Sequence, residues 1–338
     1  MPHPPRPLVS VVFSFRNEEL VLAELLDRLH AALEPLDVDY EFVLVNDAST
    51  DRSLEILKER AETDGAIRIV TMSSRFGLNP CFRAGMREAR GDAVVTMDAD
   101  LQDPPELIPE LIATWRGGAD VVYATRIARE GESVFKTWLT KAAYRVLRGV
   151  SDTDLPVETG MFRLMSRRVV EELNRIDERD AYLRGIITWI GFDQRGVSYR
   201  REKRFAGRTH FPLFSRGPYR EFTAGLVGFG SALLDWIFFG GAALTGAALL
   251  WLLGLFVVKV LAGGVAAAWF LAATIALFAG VQLFALGLIG SFIGRIYLQV
   301  NHRPEYIVAE RWGPSGDGAD GVTDPAVSPA TDRAAGGR

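Results

Sequence analysis

Two stretches near the carboxyl end carry no charged residue: Trp236 to Val258 and Leu261 to Gly294. Each is long enough to cross a ~30 Å hydrocarbon layer as a helix. As buried helices of a soluble core they would need a large surrounding domain, and only a short polar tail follows, so they are expected to form a transmembrane hairpin. Asp235 and Lys259 mark span ends, because a charged side chain at a span centre costs roughly 2.5–3.5 kcal/mol on insertion. Arg204, Arg208, Arg216 and Arg220 precede the first run, and Arg295, Arg303 and Arg311 follow or end the second. The connection holds only Lys259, so both flanks are expected in the cytoplasm. Phe222, Leu226, Phe229 and Leu233 recur at helical spacing before the first span, as an interfacial helix or as the start of the span itself.

The rest of the chain reads as a soluble domain. With 49% hydrophobic and 24% charged residues over 338 positions, the composition excludes general disorder, and a net charge of −4 without a sustained basic stretch argues against nucleic-acid binding. The single cysteine, Cys81, rules out an intramolecular disulfide and fits a reducing compartment. The amino-terminal "MPHPPRPLVSVVFSF" lacks the pattern of a secretory signal. After Trp312 the composition turns to Gly, Asp, Ala, Pro and Ser, which reads as a disordered tail.

"LVSVVFSF" (8–15), "EFVLVND" (41–47), "IRIVTM" (67–72), "DAVVTMD" (92–98) and "DVVYATR" (120–126) read as strands, with helical patterns between them. That alternation predicts an α/β fold, a Rossmann-like parallel sheet covered by helices, with ligands at the carboxyl ends of the strands. Polar clusters fall at those ends: "FRNEE", "NDASTD" and "MDADLQDPPE". No GxGxxG follows a strand, so a dinucleotide is not the expected ligand.

"MDADLQDPPE" crowds four carboxylates into ten positions. Asp103, Pro104 and Glu106 read as a helix start, with Asp as N-cap and Glu reaching back to free N–H groups. Asp98 and Asp100, two apart on an extended segment, would face the same side. At ~4 Å two unpaired carboxylates repel by about 4 kcal/mol at an effective dielectric of 20, so a cation between them is expected. Oxygen ligands, with Gln102 as a third, suit Mg²⁺ or Mn²⁺ better than zinc.

"SFRNEE", "LVNDASTDRS", "SSRFG", "AGMREARGDAVVTMDADLQDPPELIPEL", "GMFRLMSRRVVEEL" and "RFAGRTHF" occur in the order seen in polyprenyl-phosphate glycosyltransferases. From about Val9 to about Arg303 the chain resembles glycosyltransferase family 2, in the branch of dolichol-phosphate mannose synthase and the GtrB-like bactoprenol glucosyltransferases. The resemblance implies a GT-A domain followed by a two-helix hairpin. It also implies inverting, metal-dependent transfer from a nucleotide-diphosphate sugar to a membrane polyprenyl phosphate of undecaprenyl, decaprenyl or dolichyl type. By the same resemblance, Phe15, Asn17, Glu18, Asp47, Arg75 and Asp98 bind the nucleotide sugar, and Asp98, Asp100 and Gln102 hold Mg²⁺ or Mn²⁺. Asp100, Arg126 and Arg204 serve catalysis, and Arg208, His210 and Lys136 meet the acceptor phosphate. A homo-oligomer at the inner or plasma membrane, with the catalytic domain cytoplasmic, is the corresponding expectation.

Relatives often carry Asp where this chain has Met161, and a serine-lysine-aromatic run in place of Thr209-His210-Phe211. Histidine replaces a lysine's positive charge only when protonated. Two rival readings are a processive polysaccharide synthase, whose QxxRW motif is matched only by "AERW" (309–312), and an inactive membrane-anchored nucleotide-binding scaffold. The expected division is a catalytic domain over 1–215, an interfacial segment over 216–235, the hairpin over 236–296 and a tail over 297–338.

Overall fold

Along β1 (Leu8–Phe15), Val9, Val11 and Phe13 enter one apolar cluster and Val12 enters another on the opposite face. A strand buried on both faces belongs to a sheet covered on both sides. The computed structural model describes residues 6–126, 159–178, 182–199 and 267–313, with isolated positions between 243 and 261.

The chain continues through α1 (Leu22–Leu33), β2 (Asp39–Asn46), α2 (Ser53–Thr63), β3 (Ile67–Met72), α3 (Leu78–Glu88) and β4 (Ala93–Thr96). A 3-10 turn (Pro105–Leu107), α4 (Ile108–Arg116) and β5 (Val121–Arg126) complete the first half. Then come β6 (Thr159–Ser166), α5 (Arg167–Arg175), α6 (Leu183–Trp189), β7 (Gln194–Tyr199), α7 (Ala267–Val300) and β8 (Val308–Trp312). Leu22, Leu25, Leu26 and Leu29 of α1, with Leu57 of α2 and Leu111 of α4, bury one face of the sheet. Phe82 and Met86 of α3, Val170 of α5 and Ile187 of α6 bury the other.

The sheet runs β7-β5-β6-β4-β1-β2-β3-β8. It is mixed, which corrects the expectation of a parallel sheet: β6 is antiparallel to both β4 and β5, and β8 is antiparallel to β3. Neither strand was predicted. Arg163 interrupts the apolar run of β6, whose strand character rests on distant partners on both sides. β8 is short and largely exposed, and only pairing with β3 defines it.

At the edge where β1 begins, Ser10, Glu41, Arg68, Arg90 and Gly91 form a part-buried polar network. Ser10 Oγ donates to Glu41 Oε1 at 2.6 Å and accepts from Gly91 N–H at 2.8 Å. A Cβ on Gly91 would lie 2.6 Å from Ser10 N and 2.8 Å from Ala93 O, backbone atoms that cannot swing away. Gly91→Ala is therefore expected to lower stability by roughly 1–3 kcal/mol or more, read by chemical denaturation.

Asp120, ahead of β5, accepts from the Arg168 guanidinium, from Ser166 Oγ at 3.1 Å and from Asp193 N–H at 3.4 Å. Arg168's hydrogen bond is the main cause that holds the carboxyl below its ordinary range. The unfolded chain thus binds this proton more readily, so the contribution is complete above about pH 4 and is lost as acid protonates the folded group. Acid unfolding of Asp120→Asn should accordingly show a shallower pH dependence below pH 4 than the parent.

α7 is 34 residues long, and its Phe278–Val300 portion contains an 18-residue window with a mean hydropathy of 1.6, the described side chains of that portion lying outside the core. It is the one helix among the described residues long and apolar enough to cross a membrane. The first apolar run lies largely outside the described residues, as does the interfacial segment at 216–235. The sequence reading started a tail at 297, whereas α7 continues to Val300 and residues 308–312 add a strand to the sheet.

Candidate active site

The carboxyl ends of β1, β2, β3, β4 and β5 share one edge, and the strand order reverses between β1 and β4. A crevice at such a reversal is where open α/β sheets bind ligands. Three non-glycine residues there adopt left-handed backbone: Asn17 (φ 57°), Ala48 (φ 51°) and Leu101 (φ 56°), following β1, β2 and β4 respectively. Such conformations cost of order 1–3 kcal/mol each and cluster at functional sites.

The first two loops are bonded to each other. Arg16 donates to the carbonyls of Asp47 (2.6 Å) and Ala48 (2.8 Å), and Thr50 N–H donates to Asn17 Oδ1 at 2.8 Å. Glu18 N–H donates to Ser53 Oγ at 2.9 Å, and the residue is only 8% exposed. Asn46 Oδ1 accepts from Ser49 N–H at 2.9 Å, closing the turn after β2. Asp47 is buried, and its carboxylate accepts from Phe76 N–H at 2.7 Å and Gly77 N–H at 3.2 Å. It therefore holds the β3–α3 loop that carries the exposed Arg75. Gly77, at φ 95°, needs its lack of a Cβ there. Burial, then the neighbouring Asp47, push the Cys81 thiol up, so it is a poor nucleophile.

The DADLQD loop departs from the extended segment expected for it. β4 ends at Thr96, Ala99 and Asp100 lie in a turn, and Asp100 Oδ1 accepts from Gln102 N–H at 3.1 Å. The turn removes the premise that Asp98 and Asp100 face one side of a strand. Asp98, Asp100 and Gln102 are all half-buried on this loop. Among the described residues, no group of three or more His, Cys, Asp or Glu could hold a metal ion. A helix does start there, with Pro105 opening the 3-10 turn that leads into α4 and Glu106 in its first turn, but the capping roles fail: Asp103 is fully buried and accepts from Tyr199 Oη of β7, while Glu106 pairs with Arg28 of α1 at 2.6 Å. That hydrogen bond from Arg28 is the main cause holding the Glu106 carboxyl below its ordinary range.

Across from this loop, β4–β6 pairing sets Thr96 opposite Arg163, and Thr96 Oγ1 donates to Met161 O at 2.6 Å. Met161 packs in the second core cluster. Arg163, 3% exposed, donates to Gly160 O at 2.7 Å, and burial is the first cause pushing its guanidinium down to about 10.

The structure thus gathers Asn17, Glu18, Asp47, Arg75, Asp98, Asp100 and Gln102 at one edge, and the backbone of Arg126 ends β5 there. Phe15 packs in the core below them. Lys136, Arg204, Arg208 and His210 lie outside the described residues. Sequence reasoning missed Arg16 and Tyr199. An arginine directly after a strand that opens a ligand edge was the available signal for the first; nothing local marked the second.

Residues 10–174 match the family described as Glycosyl transferase family 2. The uncharacterized glycosyltransferase YkcC of Bacillus subtilis is 40% identical over 305 residues, covering 90% of this chain and 94% of that protein. An uncharacterized glycosyltransferase of Synechocystis sp. is 37% identical over 308 residues, covering 90% and 96%. The bactoprenol glucosyl transferase of Shigella phage SfV is 33% identical over 304 residues, covering 89% and 97%. The chain belongs to glycosyltransferase family 2, and its mixed α/β sheet is GT-A-like. It is a glycosyltransferase of the GtrB-like kind.

Proposed function

We propose that this enzyme transfers one sugar, with inversion, from a nucleotide-diphosphate sugar to a polyprenyl phosphate held in a membrane. One observation carries the acceptor: β8 pairs antiparallel with β3, with Val308 opposite Met72, so α7 leads into the sheet at the same edge as the three polar loops. An apolar helix arriving there brings that edge to a bilayer surface, where a lipid-tailed acceptor stays. The bactoprenol glucosyl transferases among the relatives support this choice.

Asn17, Glu18 and Asp47 form the donor side, with Asp47 acting through the loop that presents Arg75. Asp98, Asp100 and Gln102 offer two carboxylates and an amide oxygen with no imidazole or thiolate. This donor set fits an Mg²⁺ or Mn²⁺ that takes its remaining ligands from phosphate and water. Such an ion supplies positive charge against the departing diphosphate. Arg126 and Arg204 add fixed, bidentate positive charge toward phosphate groups of either substrate. A phosphate monoester acceptor has a second pKa near 6, so it is mostly dianionic at neutral pH and attacks without a strong general base. The site's work is to hold two anions together and exclude water. Lys136, Arg208 and His210 are the residues we assign to the acceptor phosphate, and multi-pass anchoring through both apolar runs belongs to the same reading.

The acceptor assignment is tested by offering polyprenyl phosphate and the free polyprenol side by side. A single sugar should join the phosphate and none the alcohol; transfer to the alcohol, or growth of a polymer, would favour another class of acceptor.

A further inference from the structure

The segment after α7 is bonded into the catalytic domain as a strap. Just before it, Gln299 Nε2 in the last turn of α7 donates to Asp177 O, and at its start His302 turns the chain with φ 47°. At its centre, Glu305 meets Arg83 of α3 at 3.2 Å, and the Arg83 side chain is 5% exposed. The same guanidinium donates to the carbonyls of Ile176 and of Glu178, the latter at 2.9 Å. Arg87 lies over the Tyr306 ring at 5.7 Å, and Ile307 O accepts from Ser73 N–H at 2.9 Å, just past the carboxyl end of β3. β8 then pairs with β3, flanked by Lys58–Glu310 at 2.9 Å and Arg311–Glu88 at 2.8 Å.

Exposed pairs such as Arg311–Glu88 hold little on their own. Arg83 with the half-buried Glu305 differs, because a buried charge such as Arg83 needs its partner in place and so fixes one register between two elements. Arg83 is that point of register. It sits five positions into α3, a helix whose preceding residues Phe76 and Gly77 are held by the Asp47 carboxylate. Contacts therefore run without a gap from the end of the apolar helix, through Glu305 and Arg83, to the donor side of the site.

We propose that residues 301–312 are a positioning strap that sets the height of the active-site edge above the bilayer, with Arg83 and Glu305 as its positioning residues. This rests on the reading of the acceptor as a membrane lipid. A long-chain acceptor presents its phosphate at a fixed depth, and the edge must meet it there. A short-chain acceptor arrives from water and imposes no such height.

The test inserts two glycines between His302 and Arg303. This keeps Glu305, Arg83 and β8 in place while freeing up to about 7 Å of chain between helix and strap. Full-length protein in vesicles would be assayed with embedded long-chain polyprenyl phosphate and with a water-soluble short-chain isoprenyl phosphate. Transfer to the long-chain acceptor should fall by about tenfold or more, since small misplacements of reacting groups cost that much. Transfer to the short-chain acceptor should stay within about twofold of the parent. Glu305→Gln should show the same split, with smaller size, in variants that keep a cooperative melting transition. Equal losses with both acceptors, or no loss with either, would overturn the strap. Failure of the parent to glycosylate either acceptor would instead overturn the acceptor reading, and the strap with it.

Discussion

Asp100→Asn is expected to lower kcat/KM for sugar transfer by about 10²–10³-fold, the range seen when one preorganised charge-stabilising group is removed. The substitution is nearly isosteric. Asparagine keeps the Oδ1 that accepts from Gln102 N–H, so the turn after β4 should persist and the melting temperature should stay near the parent's. What is lost is one of the two carboxylates, Asp98 and Asp100, assigned to the divalent ion. The defect should accordingly shrink as Mn²⁺ or Mg²⁺ is raised, a dependence that a purely structural role would not give. Activity within about twofold of the parent at low metal would remove Asp100 from the chemistry.

Asp47→Ala should damage stability and activity together. The carboxylate accepts from the backbone N–H groups of Phe76 and Gly77, and the residue is 6% exposed. Each buried donor left without an acceptor costs about 1–3 kcal/mol, so roughly 2–6 kcal/mol of stability is at stake. The β3–α3 loop would lose its hold on Arg75 and on the start of α3, and the donor KM should rise. Asp47→Asn keeps one acceptor oxygen and should fall between the two. Urea unfolding beside donor titration separates the effects: unchanged stability with a raised KM would show a direct nucleotide contact instead of a loop anchor.

The first five strands were legible because each is an apolar, β-branched run ended by a polar cluster, and those clusters proved to lie at one edge. β6 was not legible, since Arg163 breaks its pattern and its two partner strands are distant in sequence. Carboxylates were visible as a crowd but could not be sorted by spacing alone. Asp103 was read as a cap, yet its partner is Tyr199, 96 positions away. Asp98 and Asp100 were read on one extended segment, whereas β4 stops at Thr96 and the chain turns at Ala99 and Asp100. Local rules identify which residues are unusual, and tertiary contacts decide what each one holds. The same limit hid the strap, where Arg83 and Glu305 meet across 222 positions of sequence.

The central claim is sugar transfer to a polyprenyl phosphate, and its most direct test is transfer of label from a panel of UDP- and GDP-sugars into organic-extractable lipid. Purified full-length protein would be given polyprenyl phosphate and Mn²⁺ or Mg²⁺, with a chelator and Asp100→Asn as controls. Label should enter lipid from one donor and be lost in both controls. Measurable nucleotide-sugar binding with no label in lipid from any donor would contradict it.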